Sequence, residues 1–169
     1  SWYSGTRQIL YHRAEHSIYL SDEKVFAKYI IDKKEWKIIS TEMGIGGQSM
    51  LHHSNNLVIV SDARINLTST TFYNCNNNEI IKTNFVCGIS MIDFGDEELL
   101  FGSWRDGINI YNFKNNSIKR YTTNNKYKEE IFIAVSTCPQ MTGDSIVWCF
   151  SEENGIHLFN KNKKEFIAH

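Results

Sequence analysis

The sequence predicts an all-β fold in which one small antiparallel unit is repeated about four times along the chain. A ten-residue segment recurs without a gap in the second half of the chain. Short apolar runs rich in Ile, Val, Phe, Tyr and Thr alternate with turns that contain Asn or Gly, a pattern typical of strands and hairpins. No segment has the apolar spacing of a helix. With 41% hydrophobic and 13% aromatic residues, the 169-residue chain can form a sizeable core.

The repeated segment comprises residues 103–112 and 151–160, which align at an offset of 48 residues (151 − 103). Each copy follows an apolar run and precedes a polar turn with a further apolar residue beyond it. An earlier copy begins at Ser21 and a weaker one at Ser61, again directly after apolar runs. The copies therefore mark four units.

Each unit contains four short apolar segments within about 40 residues, which is the strand count and period of a β-propeller blade. The copied motif argues against a β-sandwich, and the lack of helices argues against most solenoids. We therefore expect four-stranded antiparallel blades at approximately residues 8–42, 48–84, 88–123 and 131–169. Their second strands are expected near residues 17–21, 57–61, 99–103 and 146–151.

The hairpin between the second and third strand of a blade carries a glycine in the two clearest copies. Gly107 and Gly155 occupy the same motif position, and tight hairpins favour glycine where φ is positive. Val25 occupies that position in the first copy. The sequence therefore predicts positive φ at both glycines and a turn of different type or length at Val25.

Charge and composition exclude several classes of partner. The net charge is −1, from 18 basic and 19 acidic residues, without the basic excess that nucleic-acid binding requires. No apolar run is long enough to span a bilayer, so no membrane contact is expected from this segment. Cys75, Cys87, Cys138 and Cys149 lack CxxC spacing. We expect Cys87 and Cys149 to be buried thiols, while a disulfide stays open.

Residues that could carry catalysis or bind a metal are poorly arranged in the sequence. His12 and His16 flank strand-like sequence, where four residues span roughly 13 Å and cannot share one ion. His52 and His53 would point to opposite faces of a strand. Ser90 lacks the second glycine of a nucleophile turn. The sequence therefore predicts a protein that is not an enzyme, with no catalytic residue, no metal and no cofactor.

Loops between the second and third strands are the best candidates for ligand binding. They open on the same face of every blade, and loops on a rigid scaffold commonly carry binding groups. Trp104 offers a flat stacking surface and Arg105 a forked donor, which suit a sugar ring or a carboxylate. Alternatively, Trp104 packs on a neighbouring blade and Arg105 pairs with an acid. The candidate ligand-binding residues are Asp22, Asp62, Arg64, Trp104, Arg105, Asp106, Glu152 and Asn154.

Residues 98–111, with an aromatic strand, Gly102-Ser103, a turn, Gly107 and an Ile-Asn-Ile-Tyr strand, resemble the two-component regulator propeller repeat. Residues 146–159 resemble it nearly as well, whereas the two earlier copies depart from it. The resemblance implies the periplasmic sensor region of hybrid histidine kinases from gut Bacteroidetes, which detect glycan fragments. Propellers of that family usually have more blades than four, so the resemblance also implies part of a larger ring.

The function expected from this resemblance is non-catalytic ligand sensing in the periplasm, as part of signal transduction. The expected partners are an oligosaccharide or another small ligand, together with other propeller blades or a second receptor subunit. Two alternatives stay open. One is a propeller module for protein–protein interaction or dimerisation. The other is a fragment of a propeller-fold glycoside hydrolase or lyase, which would use loop acids such as Asp22, Asp62, Asp106 and Glu152.

Overall fold

A computed structural model describes residues 8–22, 25–41, 49–62, 69–85, 87–88, 90–95, 97–103, 107–123, 132–152 and 155–168. In these residues consecutive strands form four sheets of four strands, and neighbouring strands pair antiparallel. The predicted all-β architecture of four propeller blades is confirmed. The strands are β1 Gln8–His12, β2 Ser17–Ser21, β3 Phe26–Ile30, β4 Glu35–Ser40, β5 Ser49–His53, β6 Leu57–Asp62, β7 Ser69–Asn74, β8 Glu79–Lys82, β9 Met91–Gly95, β10 Glu98–Gly102, β11 Ile108–Asn112, β12 Ser117–Tyr121, β13 Phe132–Thr137, β14 Ile146–Ser151, β15 Gly155–Asn160 and β16 Glu165–Ala168.

The second strands β2, β6, β10 and β14 lie within one residue of their predicted bounds. The expectation of no helix is wrong at one place, because a single-turn helix, α1, spans Pro139–Thr142. Pro139 suits the start of a helix because its missing N–H would have no partner there. Gly143 ends the turn with φ 68°, and its N–H donates to the Pro139 carbonyl at 2.9 Å. No helix in the described residues is both long and apolar enough to cross a membrane.

The hairpins between second and third strands have the predicted glycine conformations. Gly107 has φ 72° and Gly155 has φ 80°. In the first sheet Ser21 pairs with Phe26, so residues 22–25 form the loop. In the third sheet Gly102 pairs with Ile108 across residues 103–107. The loop that contains Val25 therefore has four residues between the paired strands, against five in the third sheet and three, between Ser151 and Gly155, in the fourth. Its length differs from both, as predicted.

The chain divides into two compact units, Ser1–Val86 and Cys87–His169, each with two sheets. In the first unit the facing sides of the two sheets form a core, whose buried members are Tyr19, Phe26, Val58, Val60 and Tyr73. In the second unit the corresponding core consists of Leu100, Ile108, Ile110, Val135, Val147, Cys149 and Phe159. Successive residues of a strand point to opposite faces, so every second residue of β2 is buried.

The other face of the first sheet is apolar as well, and it is exposed. The strand register places Ile9 of β1 and Ile38 of β4 in one cross-strand row, through their partners on β2 and β3. Tyr11 and Trp36 share a second row in the same way. Ile9, Tyr11, Trp36 and Ile38 are 68%, 53%, 59% and 62% exposed. We call these four residues the open face. Apolar side chains on both sides of a sheet are typical of a blade that stacks on two neighbours.

Two polar contacts join the sheets of the second unit. Ser90 Oγ accepts the Val135 N–H at 3.1 Å and donates to the Val135 carbonyl at 2.8 Å. Lys164 Nζ lies 2.7 Å from Glu98 Oε1 and 2.6 Å from Oε2, bridging the fourth sheet to the third. Both contacts tie the third sheet to the fourth. Ser90 therefore links the third sheet to the fourth through its hydroxyl group.

All four cysteines are free thiols, so none forms a disulfide. Cys87 and Cys149 are both buried, which confirms the prediction for them. Burial raises the pKa of the Cys149 thiol to about 12. This thiol is therefore protonated at neutral pH and packs as a small apolar side chain.

Candidate functional site

Most of the predicted ligand-binding residues fall outside the described part of the chain. These undescribed loops contain Trp104 and Arg105, the strongest ligand-binding candidates from the sequence. The residues outside are Arg64, Trp104, Arg105, Asp106 and Asn154. Asp62 ends β6, and its side chain also lies outside the description. Their role in binding stays a prediction.

Asp22 and Glu152 are the two candidates whose side chains are described. Asp22 Oδ1 accepts the Val25 N–H at 2.9 Å, and the Asp22 N–H donates to the Val25 carbonyl at 3.0 Å. This carboxylate therefore closes its own hairpin loop, a common role of Asp in turns. Glu152 is exposed directly after β14. Asp22 belongs to the first unit and Glu152 to the second.

The two ends of each sheet carry different connections. In an antiparallel sheet of consecutive strands, the second-to-third loop lies at the end opposite the first-to-second and third-to-fourth turns. The predicted ligand loops therefore share one end of each sheet. At the other end of the first unit lies a set of polar side chains that the sequence did not identify. We call His12, Glu15, Tyr19, Lys28 and Cys75 the polar cluster.

Glu15 is the centre of the polar cluster. Lys28 Nζ and the Tyr19 hydroxyl both donate to Glu15 Oε2 at 2.6 Å. Tyr19 oxygen also lies 3.4 Å from Cys75 Sγ. Because the single Tyr19 hydroxyl proton is donated to Glu15, the Cys75 thiol is the donor in this last contact. The result is a directed chain from Cys75 through Tyr19 to Glu15, closed by the Lys28 ammonium.

Strand register and turn geometry place these side chains together. Tyr19 pairs with Lys28 across β2 and β3, so both face the second sheet. His12 ends β1, and its Nδ1 accepts the Glu15 N–H from the following turn at 3.1 Å. Its Nε2 lies 3.1 Å from Asn56 Oδ1, in the turn between β5 and β6. These contacts join the first two blades.

Cys75 reaches the polar cluster from the second sheet. It follows β7 directly, and its N–H donates to the Asn56 carbonyl at 3.0 Å. Asn56 therefore holds the backbone of Cys75 and the ring of His12 at once. His12 is 1% exposed, whereas Glu15 and Cys75 are partly buried. The polar cluster is thus a largely enclosed site built by both sheets of the first unit.

The burial of the polar cluster shifts several pKa values. Burial alone would raise the pKa of Glu15, but hydrogen bonds from Lys28 and Tyr19 outweigh it and lower that pKa. Burial raises the pKa of Cys75, and the nearby charge of the Glu15 carboxylate raises it further. Burial also raises the pKa of Tyr19 well above its usual range. At neutral pH the Glu15 carboxylate is therefore charged, and Cys75 is a thiol.

The donor atoms of the polar cluster differ in kind. His12, Glu15 and Cys75 offer nitrogen, oxygen and sulfur donors that lie within 4.8 Å of one another. The sequence analysis rejected His12 and His16 as a metal pair, and the His16 ring nitrogen Nδ1 lies 2.6 Å from Asp32 Oδ1 on the surface. The short spacing from His12 to Glu15 within one turn was a usable signal. Cys75 was not predictable, because only the pairing of two blades brings it near.

Solved structures with the same fold give the comparison. The chain matches an auxiliary nutrient binding protein from Bacteroides thetaiotaomicron at TM-score 0.66 and 14% identity, over 97% of this chain and 40% of that one. It matches the extracellular domain of a protein described as a hybrid two component system of B. thetaiotaomicron at TM-score 0.62 and 12% identity, over 95% and 24%. It also matches the extracellular domain of a B. thetaiotaomicron protein described as a one component system at TM-score 0.68 and 13% identity, over 96% and 21%.

At these sequence identities the three matches show a shared fold. No protein-family model matches the chain, and no curated protein matches it in sequence. The chain spans between about a fifth and two fifths of the length of the three structures. Its four sheets therefore correspond to a part of each of these larger chains.

Proposed function

We propose that this chain is a non-catalytic, ligand-sensing propeller segment of a two-component receptor of the hybrid histidine kinase kind, acting in the periplasm. The observation that carries the proposal is the shared fold with two extracellular domains of B. thetaiotaomicron signalling systems and with a nutrient binding protein. The repeat resemblance of residues 98–111 supports it independently, because it rests on sequence alone.

The proposed ligand is a glycan fragment, bound at the loops between second and third strands. Trp104 would stack on the apolar face of a sugar ring, and Arg105 would donate to its hydroxyl or carboxylate groups. Asp106 would accept hydroxyl hydrogen bonds from the same ring. The left-handed Gly107 directly follows these residues and fixes the loop to β11. The supporting residues are Asp62, Arg64, Glu152 and Asn154, with Asp22 contributing less because it closes its own turn.

A module for protein–protein contact is the second candidate, and the open face favours it. Four large apolar side chains between 53% and 68% exposed form one surface on the first sheet, and such patches mark contact sites. The occupant we propose is another propeller blade, in the same receptor or in a second subunit. The opposite face of this sheet already packs on a blade. Of the loop acids that the glycosidase alternative would use, Asp22 is engaged in its own turn.

Isothermal titration of the full chain with a panel of glycan fragments tests the proposed ligand. A fragment that binds should bind about tenfold more weakly to Trp104→Ala and to Arg105→Ala, because each substitution removes roughly 1.4 kcal/mol of contact. Trp36→Ala is the matched control, since Trp36 is a tryptophan 59% exposed on the open face of the first sheet. Equal losses in Trp36→Ala and Trp104→Ala, or no binding across the panel, would contradict the glycan site.

A further inference from the structure

We propose that His12, Glu15 and Cys75 form a binding site for a divalent transition-metal ion of the zinc type. The three side chains come from separate places in the first unit, namely the end of β1, the β1–β2 turn and the turn after β7. Their donor atoms lie within 4.8 Å of one another. Thiolate, imidazole and carboxylate are the ligands that Zn²⁺ takes in proteins. The inference is independent of the proposed ligand loops, which lie at the other end of the sheet.

The spacing of the donors is close to what a metal ion needs. Ligands of a tetrahedral zinc ion lie about 3.3–3.6 Å apart, given bond lengths of about 2.0–2.3 Å. The separation of up to 4.8 Å closes to that range with movements of about 1 Å, which a turn residue such as Glu15 can make. Three protein ligands leave a fourth position for water.

The Glu15 carboxylate can take an ion without losing its present partners. Among the described residues, Lys28 and Tyr19 both bind Oε2, so Oε1 is the oxygen that a metal ion would meet. Lys28 then keeps its counterion, because one oxygen of the carboxylate stays with the ammonium group. The thiolate of Cys75 and the carboxylate of Glu15 carry two negative charges against the three positive charges of the ion and Lys28, so the loaded site has a net charge of +1.

The ion replaces contacts at the other two ligands. Metal binding requires the thiolate, so the Cys75 proton passes to solvent and the thiol's contact with Tyr19 is lost. His12 would bind the metal through Nδ1, whose lone pair now accepts the Glu15 N–H, while Nε2 keeps the ring proton that it donates to Asn56 Oδ1. The remaining ring contact then fixes the orientation of the imidazole, as outer partners do in metal sites. These exchanges make the site weaker than one whose ligands are free beforehand.

Titration of the chelator-treated full chain with Co²⁺ tests the site, because Co²⁺ substitutes for Zn²⁺ and reports a bound thiolate through a charge-transfer band in the near ultraviolet. We expect one equivalent to bind with this band. Cys75→Ser should abolish the band, and Glu15→Gln should weaken binding by about tenfold or more. Cys138→Ser is the matched control, since Cys138 is also a partly buried free thiol but lies in the second unit. It should leave the band unchanged.

A second measurement uses the unsubstituted chain, so it does not depend on a variant that folds. Zn²⁺ should slow alkylation of Cys75 by a thiol reagent, followed by mass spectrometry, and leave alkylation of Cys138 unchanged. The proposal is overturned if Co²⁺ gives no thiolate band, if the band survives Cys75→Ser, or if Zn²⁺ protects neither cysteine or both alike. In those cases the polar cluster is a hydrogen-bonded structural network only.

Discussion

Alanine at Gly107 should destabilise the protein more than alanine at any comparable hairpin glycine. Gly107 has φ 72°, in the left-handed region that side chains rarely adopt. A Cβ built there would lie 2.3 Å from the Tyr121 carbonyl oxygen of β12 and 3.1 Å from Thr122 Cγ2. The substitution therefore combines backbone strain with a clash against backbone, which cannot move aside as a flexible side chain can.

Two other glycines separate these effects. Gly155 has φ 80° and no atom within 4 Å of an added Cβ, so Gly155→Ala carries the backbone strain alone. That strain is about 1–2 kcal/mol. Gly88 has no left-handed strain, but its Cβ would lie 2.3 Å from the Gly102 carbonyl oxygen, and overpacking of this kind costs about 1–3 kcal/mol. Gly107→Ala should cost about the sum, roughly 2–5 kcal/mol.

Urea unfolding followed by circular dichroism measures the differences. With a slope of about 2 kcal/mol/M, a loss of about 3 kcal/mol moves the midpoint by about 1.5 M. Amide exchange of Tyr121 and its neighbours on β12 should also become faster in Gly107→Ala, because the added methyl group pushes on that strand. A midpoint for Gly107→Ala no lower than for Gly155→Ala would refute the steric part of this reasoning. A neutral Gly155→Ala would refute the left-handed turn.

Three further predictions concern polar contacts. Ser90→Ala should lower the free energy of unfolding by about 1–3 kcal/mol, because it leaves the Val135 N–H and carbonyl without their hydroxyl partner; an unchanged urea midpoint would contradict this bridge. Glu98→Gln should cost about 0.5–1 kcal/mol at low salt, since the Lys164 side chain is 37% exposed. That difference should shrink in high salt, and a salt-independent difference would exclude an electrostatic origin. Because the pKa of Glu15 is lowered in the folded state, its contribution to stability is present above the ordinary pKa near 4.5 and is lost as pH falls. Glu15→Gln should therefore flatten the acid side of the stability profile, and an unchanged profile would refute the role of this carboxylate.

Local patterns made most of the fold predictable. The copied segments at residues 103–112 and 151–160 identified β11 and β15 with their hairpin glycines, and the apolar runs before them identified β10 and β14. Strand alternation and turn chemistry are encoded within a few residues. The helix α1 was not predicted from the sequence, because a single turn is too short to show apolar periodicity. Pro139 at its first position and Gly143 directly after it are nevertheless residues that commonly mark the start and the end of a helix.

The polar cluster was not predictable in the same way. His12 and Cys75 lie on different sheets, and a sequence read strand by strand gives no distance between them. The ion pair of Lys28 with Glu15 was not predictable either. A lysine that alternates with apolar residues in a strand is expected to lie on the surface. What joins them is the packing of one blade on the next, which depends on the register of whole strands.

The separation of the two ends of the first sheet has a consequence for how this protein can change over evolutionary time. The polar cluster lies at the end with the tight turns, and substitutions there disturb contacts that join two sheets. The second-to-third loop lies at the opposite end, where residues can be exchanged without touching that network. Under the proposed function, new ligand specificities can therefore arise by variation in these loops while the blade beneath them stays the same.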